Sequence, residues 1–401
     1  MRIVVLTSSF PVRGHETASA FLGDWAQSLA RLGHDVHVVT PCPPGGHART
    51  VRDQGIGITT FEYLRPLRLQ TLAYGAGMFE NVRGNPVRLA QLAPFLGAFA
   101  GSAMAAMRDA DVVHAHWLFP AGIIAALTAP RQCPVVVTVH STDFHLLRRI
   151  PGGRAVARAI VRRCDQVHFV AQYLQEAFSA WLGHSQEVAA KSVVVPMGIA
   201  APEPSPSVDK AREPRIGFIG RLIAMKGVDD LLHACDRVRP RGVLIAGAGP
   251  DEARLREIAA RMGIPHQFVG TVAGEQKARF FSDCEIVVFP SRRYPSGRTE
   301  GMPVALLEAL GSGRVVVAAA VGGIPEVLVH GANGYLFPAG DREALTRLLQ
   351  WIITNWASAS RVANAARQTS AEFRTSVLGL RHEDLYGRAT ARNSLAQPVL
   401  Q

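Results

Sequence analysis

The feature that most constrains this chain is an alternation. Runs of β-branched and other apolar residues alternate with amphipathic stretches of helical period, and the alternation stops once and starts again. In the first half the strand-like runs are RIVVLTS, DVHVVTP, DVVHAHW, PVVVTVH, QVHFVA and SVVVPM. They are almost continuously apolar, as strands covered on both faces must be, and the helical stretches between them supply the covering layers. One of these, ASAFLGDWAQSLARLG, ends at Gly33, the residue type that stops a helix in a left-handed turn. The stretch IAAPEPSPSVDKAREP, residues 199–214, is rich in proline and poor in large apolar groups, so it reads as a linker. Beyond it RIGFIG, VLIAGAG, HQFVG, EIVVFPS and RVVVAAA repeat the pattern, with helices expected at KGVDDLLHACDRV, DEARLREIAARMG, 275–282, around Glu308 and at 341–354. The chain therefore divides into an α/β domain at 1–198, a linker at 199–214, a second α/β domain at 215–375, and a helix and tail at 376–401. Two such halves imply a cleft, because ligands of open parallel sheets sit beyond the carboxyl ends of the strands.

Composition narrows the class. With 401 residues, 48% hydrophobic and 19% charged, the chain is globular and long enough for two cores. Its five cysteines stand singly, with no CxxC pair, which argues against a zinc site or a disulfide framework and for a reducing cytoplasm. MRIVVLTSSF reads as a first strand, not a signal peptide. LAQLAPFLGAFAGSAMAAM, residues 89–107, is uncharged and long enough to span a bilayer, but Pro94, its Ala and Gly content and its place between strands predict a buried helix instead. The formal charge of +11 raises the question of nucleic acid, yet the basic residues are dispersed and no helix-turn-helix, zinc-finger or RNA-recognition signature is present. The densest basic cluster is RRIPGGRAVARAIVRR, with Arg148, Arg149, Arg154, Arg158, Arg162 and Arg163 and no acid. It is either a solvated helix face or a surface for anionic lipid or an acidic acceptor. The mixed segment 64–89 is either an irregular excursion or part of that same surface.

Dinucleotide chemistry has little support: Gly247-Ala248-Gly249-Pro250 lacks the third glycine, since position 252 is Glu, and there is no GxxxxGK[ST] loop. The loop GRLIAMKG sets Arg221 and Lys226 between a strand end and a helix start, where free N–H groups and two cations would favour a phosphate. RTEGMPVALLEALGSG places Glu300 and Glu308 eight apart in an apolar run. A carboxylate there is costly unless paired or wet. Pro303 suits a first turn, so the helix is expected to start near Gly301 or Met302, with Glu308 two turns in and about 12 Å from Glu300 along the axis. The N–H groups of Gly301, Met302 and Val304 would lie between the two carboxylates.

Taken with VGGIPEVLVHGANGYLFP, and in the first half LGHDVHVVTP, HAHWLFPAG and VTVHSTD, these motifs resemble glycosyltransferase family 4 over nearly the whole chain. The resemblance implies a GT-B fold: two Rossmann-like α/β/α domains facing each other across a cleft, an N-terminal domain for the acceptor, a C-terminal one for a nucleotide-sugar, and a C-terminal helix returning to the N-terminal domain. It implies a retaining transferase that needs no metal and no cofactor beyond its co-substrate. Arg221 and Lys226 would hold the donor diphosphate, with Gly301, Met302, Pro303 and Val304 beside it. Glu300 would hold hydroxyls of the transferred sugar, Glu308 the ribose, and Val272 would lie by the base. His140 would face the sugar as the second catalytic residue, with Gly14 near donor and acceptor. Three positions depart from the pattern: a single Gly14 where a pair is usual, Ser141 where many members have glycine, and Ala200 where Asp is frequent. The same fold also hosts nucleotide-sugar epimerases and phosphorylases, and a non-catalytic sugar- or lipid-binding protein is the alternative from another class.

Single residues leave further choices. Asp109-Ala110-Asp111 precedes a strand and reads as a helix end, not a metal motif. His114 and His116 share a strand face, either as metal ligands or, preferably, as histidines lining the cleft. Asp143 either orients His140 or caps the following helix.

Overall fold

In the computed structural model the described residues are 1–75, 77–201, 214–294 and 297–396. Most of the linker expected at 199–214 thus lies outside them. The chain divides into two compact units, Met1–Gly198 together with Thr375–Gln401, and Ile199–Arg374.

The first unit is built on an eight-stranded sheet of β1 (Arg2–Leu6), β2 (Asp35–Pro41), β3 (Arg49–Asp53), β4 (Ile56–Phe61), β5 (Val112–His116), β6 (Val135–Val139), β7 (Gln166–Phe169) and β8 (Ser192–Val194). The spatial order is β3-β4-β2-β1-β5-β6-β7-β8, parallel except for β3. Order reverses between β1 and β5, the switch point at which such sheets open toward a ligand. Strands β3 and β4 were not among the runs expected. They form a hairpin on Gln54-Gly55, both at positive φ (48° and 83°), the two-residue turn that matches strand twist. Every β3 residue is exposed and three of the five are charged, as suits a sheet edge. The signal in the sequence was QG between two alternating runs.

The apolar segment 89–107 is not a wholly buried helix. Helix Leu92–Ala106 buries one stripe, Phe95, Phe99 and Ala103, at helical spacing. Phe99 stacks on Phe61 of β4 at 5.0 Å and Phe95 meets Tyr63 edge-on at 5.1 Å. Its other face is exposed, with Met104 52% accessible and Leu89 in the preceding turn 57%. Asp109 and Asp111 form the turn behind this helix and hold Arg2, by an ion pair at 3.6 Å and a backbone N–H bond at 2.6 Å. The reading of Asp109-Ala110-Asp111 as a structural turn therefore stands.

Helix Thr375–Ala396 belongs to this first unit, packing on helix Ala20–Arg31 and on β6 and β7. Leu378, His382, Leu385, Tyr386 and Ala389 are its buried face.

The second unit carries β9 (Arg215–Ile219), β10 (Gly242–Ala246), β11 (His266–Gly270), β12 (Ile286–Phe289), β13 (Val315–Ala319) and β14 (Tyr335–Phe337), in the order β11-β10-β9-β12-β13-β14, all parallel. Three-residue β14, within GANGYLFP, was too short to announce itself. Helices Val228–Val238, Glu252–Arg261, Gly274–Asp283 and Arg342–Thr354 lie where their periodicity placed them, the last capped by Asp341, whose carboxylate accepts from Ala344 N–H at 2.8 Å. All five cysteines are free and buried.

Candidate active site

In the second unit the loops after β9, β12 and β13 converge on one carboxylate. Glu300 is 7% exposed, and its Oε1 receives Lys226 Nζ and Ser291 Oγ, each at 2.6 Å. Burial pushes its acidity toward the neutral form, but Lys226, Ser291 and the nearby Arg221 outweigh that, and the net result is a carboxyl held below its ordinary range. It is therefore ionised at neutral pH.

The loop that brings Lys226 is held by its own helix. Asp229 and Asp230, in the first turn of Val228–Val238, favour that positive helix end and grip Arg292 at 3.0 and 2.6 Å, while Asp230 also holds Arg342 at 3.0 Å. Arg292 N–H donates to the carbonyl of Met225 at 2.7 Å, fastening the 291–292 strand end to the Lys226 turn. Two glycines allow the approach. A Cβ on Gly227 would come 2.0 Å from the Pro290 carbonyl oxygen, and one on Gly322 would come 2.3 Å from that of Glu300. Gly323 N–H then donates to Gly301 carbonyl at 2.9 Å. The GGIPE segment thus serves the backbone of Glu300 and Gly301: the contact requires glycine at Gly322, which is at φ 63°, while Gly323 contributes its backbone N–H. The Gly247 to Pro250 loop has a similar role: a Cβ on Gly247 would meet the Gly220 carbonyl oxygen at 1.8 Å.

The helix bearing Glu308 starts later than its sequence suggested. Pro303 is its N-cap, with ψ of 111°, and the helix runs Val304–Gly311. Proline in this place ends an extended approach, so only four of the eight steps from Glu300 to Glu308 are helical. Glu308 lies one turn in, not two, and the helical-rise separation does not apply. Among the described residues no side chain caps the helix start and no acid lies in its first turn; Leu306 N–H turns back to the Pro303 carbonyl at 3.0 Å, which leaves the N–H groups of Val304 and Ala305 for an anion. Met302 and Pro303 are buried, Gly301 and Val304 half-buried. Glu308 answers its own cost by pairing with Lys277 of helix Gly274–Asp283 at 2.6 Å. Lys277 carried no mark in the sequence, being one cation in an ordinary amphipathic helix. Val272 is half-buried just past β11. Glu300 and Glu308 are thus each tied to a different lysine.

In the first unit His140 follows β6, and its Nε2 lies 3.0 Å from Nδ1 of His116 on β5. His114 and His116 do not line a cleft. Both are fully buried, stacked at 4.4 Å beneath Trp25 and joined to His168 and His382 in one core. Burial holds all of these imidazoles neutral: His140 and His382 are lowered to about 3, His168 to about 4, and His114 and His116 well below the usual value. Neutrality fixes each proton. His168 Nε2 faces the Val195 carbonyl at 2.6 Å and must donate, so its Nδ1 accepts from Thr138 Oγ1 at 2.8 Å. Thr138 in turn accepts from His114 Nε2 at 2.6 Å, and His114 Nδ1 accepts from Tyr386 hydroxyl at 2.8 Å. The chain ties the C-terminal helix to β5, β6 and β7.

Asp143 does not touch the His140 ring. Its two oxygens accept from the backbone N–H groups of His140 at 3.1 Å and Leu118 at 2.7 Å, joining the ends of β6 and β5. Burial raises its carboxyl to about 6, and these bonds limit the rise. Gly14 is in a left-handed turn at φ 84°, with its N–H donated to Glu16 at 2.7 Å.

Residues 203–369 match the family described as "Glycosyl transferases group 1", and residues 18–201 match "Glycosyltransferase Family 4". The chain belongs to glycosyltransferase family 4. Among its relatives, the putative colanic acid biosynthesis glycosyltransferase WcaL of Escherichia coli is 29% identical over 265 residues, 63% of this chain and 64% of WcaL. The amylovoran biosynthesis glycosyltransferase AmsK of Erwinia amylovora is 33% identical over 159 residues, 38% of this chain and 39% of AmsK. Of solved structures, sucrose-phosphate synthase from Thermosynechococcus elongatus superposes with a TM-score of 0.77 at 20% identity, covering 98% of this chain and 100% of the other. Anabaena HepE in complex with UDP-glucose gives 0.71 at 19%, covering 96% and 99%. This glycosyltransferase is therefore a two-domain α/β protein of the GT-B fold.

One departure of this glycosyltransferase from its family now has a physical reading. Ser141, where many members carry glycine, sits at φ 95°, ψ −59°, a region that L side chains avoid. Ser141→Gly should therefore stabilise the first unit by about 1 kcal/mol, read as a higher urea midpoint. An unchanged or lower midpoint would mean that contacts of the hydroxyl outweigh the strain.

Proposed function

We propose that this glycosyltransferase moves a sugar, with retention, from a nucleoside diphosphate donor to a glycan, lipid-linked or small-molecule acceptor in cell-envelope or exopolysaccharide synthesis. The observation that carries the reading is the ionised Glu300, held by Lys226 and Ser291 beside the uncapped start of helix Val304–Gly311. A transferred sugar presents hydroxyls, and a fixed carboxylate accepts from them. As the glycosidic bond breaks, charge accumulates on the leaving diphosphate. Arg221, Lys226 and the N–H groups of the helix start, reached over Gly301, Met302, Pro303 and Val304, stabilise that charge, so no divalent metal is required for it. Glu308 takes the ribose with Lys277 beside it, and Val272 flanks the base. To the first unit the proposal assigns His140, as a hydrogen-bond partner of the sugar, and Gly14, as a donor- and acceptor-binding residue. Support for the donor class comes from HepE, solved with UDP-glucose, and for the pathway class from WcaL and AmsK, named for colanic acid and amylovoran.

Calorimetric titration with UDP, GDP and ADP tests the phosphate role. One of them should bind, and Arg221→Ala with Lys226→Ala should weaken it about 100-fold, the sum of two charge-assisted hydrogen bonds. Undiminished binding would remove both residues from the donor site.

A cytoplasmic location at an anionic membrane is part of this proposal. Of the six clustered arginines, Arg163 donates to the carbonyls of Ala129, Pro130 and Cys133, and Arg158 to that of Leu182, so these two serve the fold. Arg148, Arg149, Arg154 and Arg162 are exposed and available to lipid phosphates. Changing these four to Ser should abolish sedimentation with phosphatidylglycerol vesicles at low salt, and equal sedimentation would remove the membrane from the account.

A further inference from the structure

We infer that His116 is a positioning residue for His140: it donates its Nδ1–H to His140 Nε2 and so fixes the single proton of His140 on Nδ1, the nitrogen left for a ligand oxygen. The inference rests on the reading of His140 as a sugar-facing group, and it begins from the 3.0 Å contact between the two rings. Both imidazoles are neutral, so one proton lies between them and two arrangements are open. If His140 donated, His116 would carry its own proton on Nε2. That atom is buried and makes no hydrogen bond to the described residues. Its ring neighbours supply no acceptor oxygen: His114 is stacked face to face at 4.4 Å, out of line with an in-plane N–H, and Trp25 and Trp117 offer only π-systems, weak acceptors by comparison with oxygen. A buried N–H without an acceptor is rarer than a bare acceptor atom.

The same core holds a precedent for the other arrangement. His382 Nδ1 lies 2.7 Å from the Leu378 carbonyl and must donate to it, which leaves its Nε2 bare. That Nε2 is also buried and unpartnered. A bare Nε2 is therefore tolerated here, one ring away from His168 and Trp25. With His116 donating, His140 keeps its proton on Nδ1. That nitrogen has no hydrogen bond among the described residues, and the half-buried ring is held in place by Trp117 at 4.7 Å and Phe21 at 5.6 Å. The consequence is polarity. His140 offers a donor, not an acceptor, and a donor recognises a hydroxyl or phosphoryl oxygen in any rotamer.

The test is nitrogen NMR of the full chain labelled at histidine, without substrate, at neutral pH, with the His140 signals assigned by their loss in His140→Gln. The wild type should show His140 as the pure Nδ1–H tautomer. His116→Asn, whose amide N–H can stand where Nδ1–H stood, should keep it, and His116→Phe should give a mixture. On whichever sugar nucleotide is turned over, His116→Phe should lose about tenfold in kcat, the factor for one misdirected hydrogen bond, with nucleoside diphosphate affinity unchanged and with His116→Asn within about threefold of wild type. An Nε2–H tautomer in the wild type would overturn the inference, as would a pure Nδ1–H tautomer in folded His116→Phe. The wild-type spectrum stands even if the Phe variant does not fold. Because the spectra need no donor, failure of the donor reading would be seen separately, as the absence of turnover.

Discussion

Glu300→Gln should lower turnover about 10³-fold while nucleoside diphosphate affinity stays within a few-fold of wild type. The amide keeps the volume and can still accept from Ser291 or Lys226, so the change removes charge with little loss of packing. In the wild type two cations stand near one anion, Glu300, which holds Lys226 at 2.6 Å and feels Arg221. With the anion neutralised, the diphosphate still meets both cations and the open helix start, so ground-state binding survives. What is lost is a fixed negative group where the sugar acquires positive character as its bond to the diphosphate breaks. Parallel falls in affinity and turnover would instead make Glu300 a support for Lys226 and move the chemistry elsewhere.

Acidification to pH 5.5 should remove about 6 kcal/mol of stability from the first unit and little from the second. Five imidazoles, of His114, His116, His140, His168 and His382, have folded values far below the ordinary 6.5, chiefly through burial. The unfolded chain therefore binds protons that the folded unit cannot. Their contribution is fully present above about pH 6.5 and is lost as pH falls from there toward the folded values, about 3 for His140 and His382, about 4 for His168 and well below the ordinary range for His114 and His116, at a slope approaching about 1.4 kcal/mol per pH unit for each. Asp143 acts in the opposite sense, since its folded value of about 6 lies above 3.8, but it returns less than about 1 kcal/mol over this range. In the second unit Glu300, held below its ordinary value, contributes stability that is lost only below about pH 4.5. Hydrogen exchange by mass spectrometry, comparing peptides from β5 to β7 with peptides from β9 to β13 at pH 7 and 5.5, reads this difference. Equal protection in both sets at pH 5.5 would contradict the burial of five neutral rings.

What the sequence could convey depended on how local each cause was. The strands β1, β2, β5 to β7, β9, β10, β12 and β13 are long apolar runs whose burial on both faces forces that composition, and they were legible. Strand β3 is polar because it is an edge, β4 is interrupted by Gly57 and two threonines, and β14 is three residues long, so none carries a long apolar run. At the site, Glu300 and Lys226 were expected and are joined by a bond that spacing alone could not give, since it joins the loops after β9 and β12, far apart in sequence. Lys277 was invisible because a lysine in an amphipathic helix has no distinguishing neighbours. The role of the GGIPE glycines was hidden for the same reason as the pairing of His116 with His140: each is a contact between loops at adjacent strand ends. The start of the Glu308 helix was misplaced by two or three residues because proline is compatible with both the cap and the first turn. His114 and His116 were expected to line a cleft because polar residues at a strand end normally do. Here Trp25 lies over both rings, and Tyr386, from a helix some 270 residues later, bonds His114.

The claim beneath all of this is that the chain consumes a nucleoside diphosphate sugar at Glu300. Incubating the protein in EDTA with a mixed panel of UDP-, GDP-, ADP- and dTDP-sugars, and following each by mass spectrometry, tests it directly. The expected result is selective consumption of one donor with release of its nucleoside diphosphate by the wild type, and about 10³-fold slower consumption by Glu300→Gln. Neither binding nor consumption of any donor, or equal consumption by both proteins, would contradict the account.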